Sequence, residues 1–591
     1  MVSRWLVTTA LEDSWPKNEP VLFLGEWCRR ESQRDRWTEL DSLVASSPWD
    51  DIQRRHRDQR YLDQLSISIM ADTAASLNNL HQVDYGIRYW NILVGEWILI
   101  FTNLLFERWQ AITLAIQKYD LSGTLLFAGL ELEPSIDSKH FSSRVKCDDW
   151  NHSIYASIIR SVGDLNVETV AWSRDEGSTD TDNTVETQQE QHWKFRLLRF
   201  YSQFAQKWSR EHDVFLTSTY LPLREELKLQ LRLGQVPTNW TIPHPPEIPA
   251  KSHLRKWELV GHPTNSFEQH LRKLIPEHMP TVFVEGYAQL CNQIEQLPWP
   301  KSPRLIWTSN AHIYEDVFKA WAARKTVEGS KLFIGQHGGH YGVARWKPAE
   351  RLHVEISDAF LTWGWRTDDE QRVRPVGQLK MTKPLGIEHA IQPHAVMVTN
   401  SYCTPPTRPE VGAMDGVKFG YLEWQRQFVA LLPNRIRDAL IVRLHAGQCR
   451  FDDQLKWHRY FPDIVVDDGA RNLDELLRES RLYIATYNST GFLQAFTMNI
   501  PTVIFWNPLH WELRDSALPW FSNLAKQGIF HTEPVSAANH IASVWDDIDG
   551  WWSSEAVRTC IEEFVAQYSR QSRDLLHDIR HCIGTSIGDK S

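Results

Sequence analysis

The stretch LRESRLYIATYNSTGFLQAFTMNIPTVIFWNP, residues 477 to 508, decides the fold. Leu482 to Ala485 is a short apolar run rich in strand formers, and Thr502 to Phe505 is a second. Between them lie a small polar turn, Asn488-Ser489-Thr490-Gly491, a stretch with helical spacing, and Asn499-Ile500-Pro501 as a stop. Strand, turn, helix, strand is the unit from which parallel sheets are built. The turn falls where a helix N-terminus offers unpaired N–H groups and positive dipole, so a phosphate would suit it. Ser489 or Thr490 acting only as a helix cap explains the same letters.

Alternation of this kind extends in both directions from Lys256 onward. Strands are expected at 304–308, 331–334 and 359–362, with a helix at 315–323. Pro375 to Leu379 reads as a crossing point. A second series follows, with strands at 395–398, 439–442 and 464–466, and a helical tail runs from Ser553 to Cys582. Leu6 to Thr9 and Val21 to Leu24 look like strands near the start, and 43–120 has helical spacing. The expected organisation is an N-terminal Rossmann-like domain over 1–380 carrying helical insertions at about 43–300, a C-terminal Rossmann-like domain over 381–550, and a helical tail over 551–591. Ligands of such doubly wound α/β domains bind at the carboxyl ends of the strands, so chemistry is expected in the cleft between the two. Gly234 to Ser252, with five prolines, reads as an extended connector, and the acidic segment Glu176 to Gln191 as a surface loop.

The 591 residues, 42% hydrophobic and 23% charged, are ordinary for a globular protein of several domains. A net charge of −10 argues against a nucleic-acid binder. The 28 tryptophans tilt toward carbohydrate, because indole faces stack on sugar rings. Seven scattered cysteines without a CxxC read as reduced thiols in a cytoplasmic protein. Ile92 to Phe106 is too short to span a bilayer and contains Glu96, so it reads as a buried helix.

Several motifs carry candidate chemistry. Gly335-Gln336-His337-Gly338-Gly339 follows a strand, and its glycines permit close backbone approach to a ligand. His337 is the expected base, with Gln336, Gly338 and Gly339 lining the cleft. The alternative is a Gly-rich turn with ordinary hydrogen bonds. Asn310 and His312, just past another strand, are expected to line the same cleft. Arg443 and His445 end a strand and suit a phosphate. Glu285 and Asp358 are candidate carboxylate bases or nucleophiles, although most acids are solvated surface groups. No metal site is expected. The phosphate-loop, GxGxxG and GxSxG signatures are absent, and Asp180-Thr181-Asp182 lies in the acidic segment.

The set as a whole resembles a family of transferases encoded in bacterial surface-polysaccharide gene clusters. Its landmarks are Leu6 to Glu12, Phe23 to Cys28, Arg88-Tyr89-Trp90, Gly335 to Gly339, Ser357-Asp358, Thr362 to Trp365, Tyr487 to Thr490 and Ile504 to Pro508. More widely, the chain is similar to GT-B glycosyltransferases, including CDP-glycerol polymerases and enzymes using CMP-linked sialic acid or Kdo. The resemblance implies that His337-Gly338, His445 and Ser489-Thr490 stand for three family elements. Ala446 departs from the proline usual after the second. It further implies a metal-independent glycosyltransferase without a cofactor. The expected donor is a nucleotide sugar held by Arg443, His445, Asn488, Ser489, Thr490 and Gly491, first of all a CMP-linked acidic sugar. The expected acceptor is a glycan or lipid-linked glycan, which would bring peripheral association with the inner face of the cytoplasmic membrane. The rivals are a CDP-polyol phosphotransferase of similar fold and a non-catalytic glycan-binding or assembly protein.

Overall fold

The structure is a computed structural model and describes residues 2–130, 132–172, 205–367, 370–383, 392–400, 415–445 and 452–588. The acidic segment with Asp180 to Asp182, and Ala446, lie outside the described residues.

Three parallel sheets form the molecule. The first takes β1 (Arg4–Val7), β2 (Val21–Phe23), β3 (Ser42–Val44), β4 (Leu121–Ala128) and β5 (Val167–Ala171), in the order β3-β2-β1-β4-β5. The second takes β6 (Phe215–Leu216), β7 (Leu305–Thr308), β8 (Lys331–Gly335), β9 (Ala359–Thr362) and β10 (Val373–Pro375), in the order β10-β9-β8-β7-β6. The third takes β11 (Gln392–Val398), β12 (Leu440–Arg443), β13 (Val465–Asp467), β14 (Ser480–Ala485), β15 (Thr502–Phe505) and β16 (Phe530–His531), in the order β13-β12-β11-β14-β15-β16. The expected strands of the second and third sheets are all present, and Pro375 to Leu379 does begin the passage between those sheets.

Besides the two alternating series, the start of the chain forms a third parallel sheet. Residues 43–300 are not only a helical insertion: they hold β4 and β5, which join β1, β2 and β3 in a sheet of their own, and β6, which joins the second sheet. The helices Ile52–His81 and Ile87–Lys118 form one long crossover between β3 and β4 and dominate the periodicity there. Asp51 caps the first of them, its carboxylate accepting from Gln53 N at 2.9 Å. The second helix is apolar enough to cross a membrane, yet 89% of its most apolar window is buried inside the protein. That burial also covers Glu96, Glu107 and Arg108, which find partners: Arg108 donates twice to Asn151 Oδ1, at 2.6 and 3.0 Å.

The third sheet shows the period-two rule. Val396, Tyr483 and Ile504 face the apolar cluster that runs through the first two units. Met397, Leu482, Ile484 and Val503 face a separate cluster behind the sheet. The helices Glu555–Tyr568 and Leu575–Ile587 then cross back to the second unit. Arg570 N donates to Trp363 O at 2.7 Å and Gln378 N to Arg570 O at 2.8 Å. Gly364 (φ 143°) and Gly377 (φ 129°) make this approach feasible, since a Cβ there would lie 2.7 Å from Gln567 O and 2.9 Å from Arg570 O.

Candidate active site

The carboxyl edges of the second and third sheets face each other. The Gly-rich turn after β8 sits on the polar turn after β14, with Gly339 N donating to Thr490 Oγ1 at 3.0 Å. A Cβ on Gly339 would lie 2.6 Å from Ser489 O, so only glycine permits the contact. Ser489 is the N-cap of the helix Thr490–Met498, accepting from Gly491 N. Thr490 and Ser489 thus both serve as acceptors, and each hydroxyl retains a proton to donate. Arg514 reinforces the junction, donating to Ala344 O and pairing with Glu350 at 2.8 Å, while Glu350 also accepts from Gly342 N at 2.8 Å.

Beneath the turn lies a histidine cluster drawn from three elements. His337 follows β8, His312 follows β7, and His353 belongs to the helix Pro348–Ile356. Tyr341 Oη lies 3.2 Å from His337 Nε2 and 3.0 Å from His353 Nδ1. His353 Nε2 in turn lies 3.2 Å from a carboxylate oxygen of Glu96, in the long helix of the first unit. This makes a continuous path from His337 through a phenol and a second imidazole to a carboxylate. His312 packs edge-on against His353, ring centres 4.3 Å apart. Burial, then the neighbouring His353, holds His312 well below the usual histidine range, so it stays neutral. His337 is half-buried, whereas Tyr341 and His353 are each 1% exposed, so His337 is the member of the path nearest solvent.

Across the junction, the order of the third sheet reverses between β11 and β14, and ligands bind α/β sheets at such a point. Thr486 links the two strand ends by donating to Val398 O at 2.8 Å. Tyr421 closes over them, its hydroxyl 2.7 Å from Thr486 Oγ1 and accepting from Asn400 N at 2.8 Å. Asn488 is 6% exposed, and its carbonyl oxygen has no hydrogen-bond partner among the described residues. A buried unpartnered acceptor is costly and calls for a donor that arrives from outside. Arg443 ends β12 with its guanidinium paired to Asp467 at 3.1 Å, and His445 is exposed just beyond.

Other expected residues lie elsewhere or work structurally. Gln336 is fully buried and accepts from Trp363 N at 3.0 Å and Trp365 Nε1 at 2.8 Å, which pins the Thr362 to Trp365 loop. Its neighbour Gly338 accepts from Gln336 Nε2 at 2.8 Å, and Asn310 is exposed. Glu285 forms a buried pair with Arg255 at 2.7 Å and accepts from Lys251 N, so it anchors the connector. Asp358 precedes β9, at the amino edge of the second sheet, opposite His337. It pairs with Arg88 at 2.6 Å and Lys331 at 3.2 Å, and these contacts hold its carboxyl below the usual range against the effect of burial. Neither acid reaches the His337 turn by these contacts, which corrects their expected place at the chemistry. Glu96, Tyr341, His353, Tyr421 and Thr486 were not singled out by sequence reasoning. Their letters sit within ordinary helices and strand ends, and only the placement of Tyr341 four residues after His337 gave a signal. Among the described residues, no three or more His, Cys, Asp or Glu side chains are placed so as to hold a metal ion together.

Comparison with known proteins gives one strong match and several distant ones. No curated protein matches the chain. Among solved structures, the wall teichoic acid polymerase TagF is 10% identical, with 67% of this chain and 92% of that chain covered and a TM-score of 0.31. A proposed UDP-N-acetylglucosamine 2-epimerase from Listeria monocytogenes is 13% identical, covering 64% and 97%, with a TM-score of 0.38. MurG from Acinetobacter baumannii is 8% identical, covering 63% and 99%, with a TM-score of 0.29. These are distant likenesses, and none transfers an activity. The family model described as LIC12162 family transferase, in contrast, matches residues 4–583, and the chain therefore belongs to that transferase family.

Proposed function

We propose that the chain is a glycosyltransferase of GT-B type that moves a sugar from a nucleotide-activated donor to a glycan hydroxyl. The observation that carries this reading is the contact of Gly339 with Thr490, which sets the His337 turn against the reversal point of the third sheet. Asn488, Ser489, Thr490 and Gly491 hold the donor phosphates, with Arg443 and His445 beside them. The unpartnered Asn488 oxygen is an acceptor for the nucleotide or for a sugar hydroxyl.

The reaction needs a neutral base and a stabilised leaving group. The acceptor oxygen attacks the anomeric carbon, and the bond from that carbon to the phosphate oxygen breaks. The electron pair leaves with the nucleotide, and the acceptor proton passes to His337. Tyr341, His353 and Glu96 orient the imidazole and stabilise its cation, as a hydrogen-bonded carboxylate does in other base assemblies. A CMP-linked acidic sugar heads the donors to test. Arg345, whose backbone N donates to Glu512 O at 2.9 Å at the same junction, stands ready for a sugar carboxylate.

Thermal-shift measurement with CMP, CDP, UDP and GDP tests the donor side, and one of these is expected to raise the melting temperature. No stabilisation by any of them sinks the reading. Asn488→Ala is expected to abolish that shift. His337→Asn is expected to leave it intact while lowering kcat at least ~10²-fold, the scale of a lost general base. Formation of a phosphodiester product from CDP-glycerol would replace glycosyl transfer by polyol-phosphate transfer.

A further inference from the structure

The unit of the third sheet also meets the first unit, where Arg459 pairs with Glu31 at 2.6 Å and Ser32 N donates to Asp452 at 2.7 Å. Beside these contacts lies a partly open cleft. The segment after β2 supplies one wall, with Glu26, Trp27, Arg29, Arg30, Arg34 and Trp37. The helices Asp415–Leu431 and Asp453–Tyr460 supply the other, with Glu423, Arg426, Lys456, Trp457, Arg459 and Tyr460.

Each wall is a stack of cations on an aromatic ring. Arg29 and Arg34 lie 5.0 and 4.9 Å from the centre of Trp37. Arg426 and Arg459 lie 3.4 and 5.2 Å from the centre of Tyr460. Stacking fixes the plane of a guanidinium and leaves its N–H edge for an anion. Carboxylates answer only part of this charge. Arg29 pairs with Glu26 at 2.5 Å, Arg426 with Glu423 at 2.9 Å, Arg459 with Glu31 at 2.6 Å, and Arg30 with Asp148. Arg34 and Lys456 have no carboxylate within ion-pair distance among the described residues. Arg426 Nε is buried without a hydrogen-bond partner. The whole chain carries a net charge of −10, so composition does not account for a positive cleft.

We propose that this cleft binds an anionic saccharide, a sugar ring bearing a phosphate or a carboxylate, with the anion on Arg34 and Lys456 and the ring against the exposed part of Tyr460. Charge alone would serve any anion; the aromatic lining selects one that carries an apolar ring face. The residues belong to neither turn of the candidate active site, so the proposal stands or falls apart from the donor reading.

Calorimetric titration of the full chain with glucose 1-phosphate and with digalacturonate tests it, and whichever binds more tightly names the anion. At least one is expected to bind at least tenfold more tightly than maltose or inorganic phosphate. In Arg34→Glu/Lys456→Glu that affinity is expected to fall at least tenfold, with CMP binding unchanged. Arg34→Gln/Lys456→Gln, checked for fold by circular dichroism, gives the same reading without charge reversal. The proposal is overturned if neither saccharide binds at millimolar concentration, if both variants bind as the parent does, or if inorganic phosphate or a hexaglutamate peptide binds as tightly. Failure of CMP to bind the parent counts against a CMP-linked donor alone.

Discussion

Where the third unit meets the second, glycine backbone touches the Ser489 turn; where it meets the first, arginines and aromatic rings line a partly open cleft. The first junction is made of small residues, backbone hydrogen bonds and packed histidines. The second is made of long cationic side chains stacked on rings. Close packing is what positions reacting groups, because distances there are set by atoms in contact. An open charged cleft can capture a ligand but does not by its own packing fix one geometry. The two junctions are therefore suited to different tasks, chemistry at one and capture at the other.

The comparison breaks most readily at Gly339. Gly339→Val should force the turns apart and cost about 3 kcal/mol, the upper end of ordinary overpacking. Urea denaturation measures this, and an unchanged midpoint would show that the junction is not tight. Thr490→Ala should cost ~1–3 kcal/mol by leaving Gly339 N without its acceptor, whereas Thr490→Ser should restore most of the loss in the same assay.

Acid provides a gentler probe, at the loop after β15 where Arg55 of the first unit lies near His510. Burial, then Arg55, pushes the His510 imidazole down to about 4 from its ordinary 6.5. The unfolded chain thus binds more protons than the folded one between those values, and stability falls as pH drops from about 6.5 toward 4. His510→Gln should flatten that slope in denaturation curves taken across the window; an unaltered slope would assign it to other groups. The smallest effect is expected at the open side. Arg34→Gln/Lys456→Gln should change folding stability by no more than ~0.5 kcal/mol, as substitutions outside packed contacts do. A larger loss would mean that these cations hold the units together.

Much of this architecture was legible before the structure. β7, β8, β9, β14 and β15 are short apolar runs bounded by turn residues, and each appears where periodicity places it. The apposition of the His337 and Ser489 turns was also foreseeable, since both end strands in one alternating pattern. The first sheet was legible only in part: the runs at 6–9 and 21–24 fall on β1 and β2, but their pairing with β3 and β4 was not foreseen. β3 has three residues and β6 two, and two helices of 30 and 32 residues separate β3 from β4. Pairing across such a gap depends on tertiary contacts that no local window contains. The acids failed for a related reason. Glu285 and Asp358 have the right chemistry, but burial against Arg255 and Arg88 is a matter of three-dimensional company. Glu96 shows the converse: it looked like a blemish in an apolar helix, and it closes the path from His337.

The crossing of the C-terminal helices has a consequence for how the protein is made. Residues 569 and 570 bond to Gln378 and Trp363, and Thr497 Oγ1 lies 3.0 Å from Ser569 Oγ. Synthesis runs from the amino end, so the second sheet emerges from the ribosome well before the backbone that seals its Gly364 and Gly377 loops. During that interval those loops and their apolar neighbours are exposed, and a nascent chain in that condition is a client for chaperones.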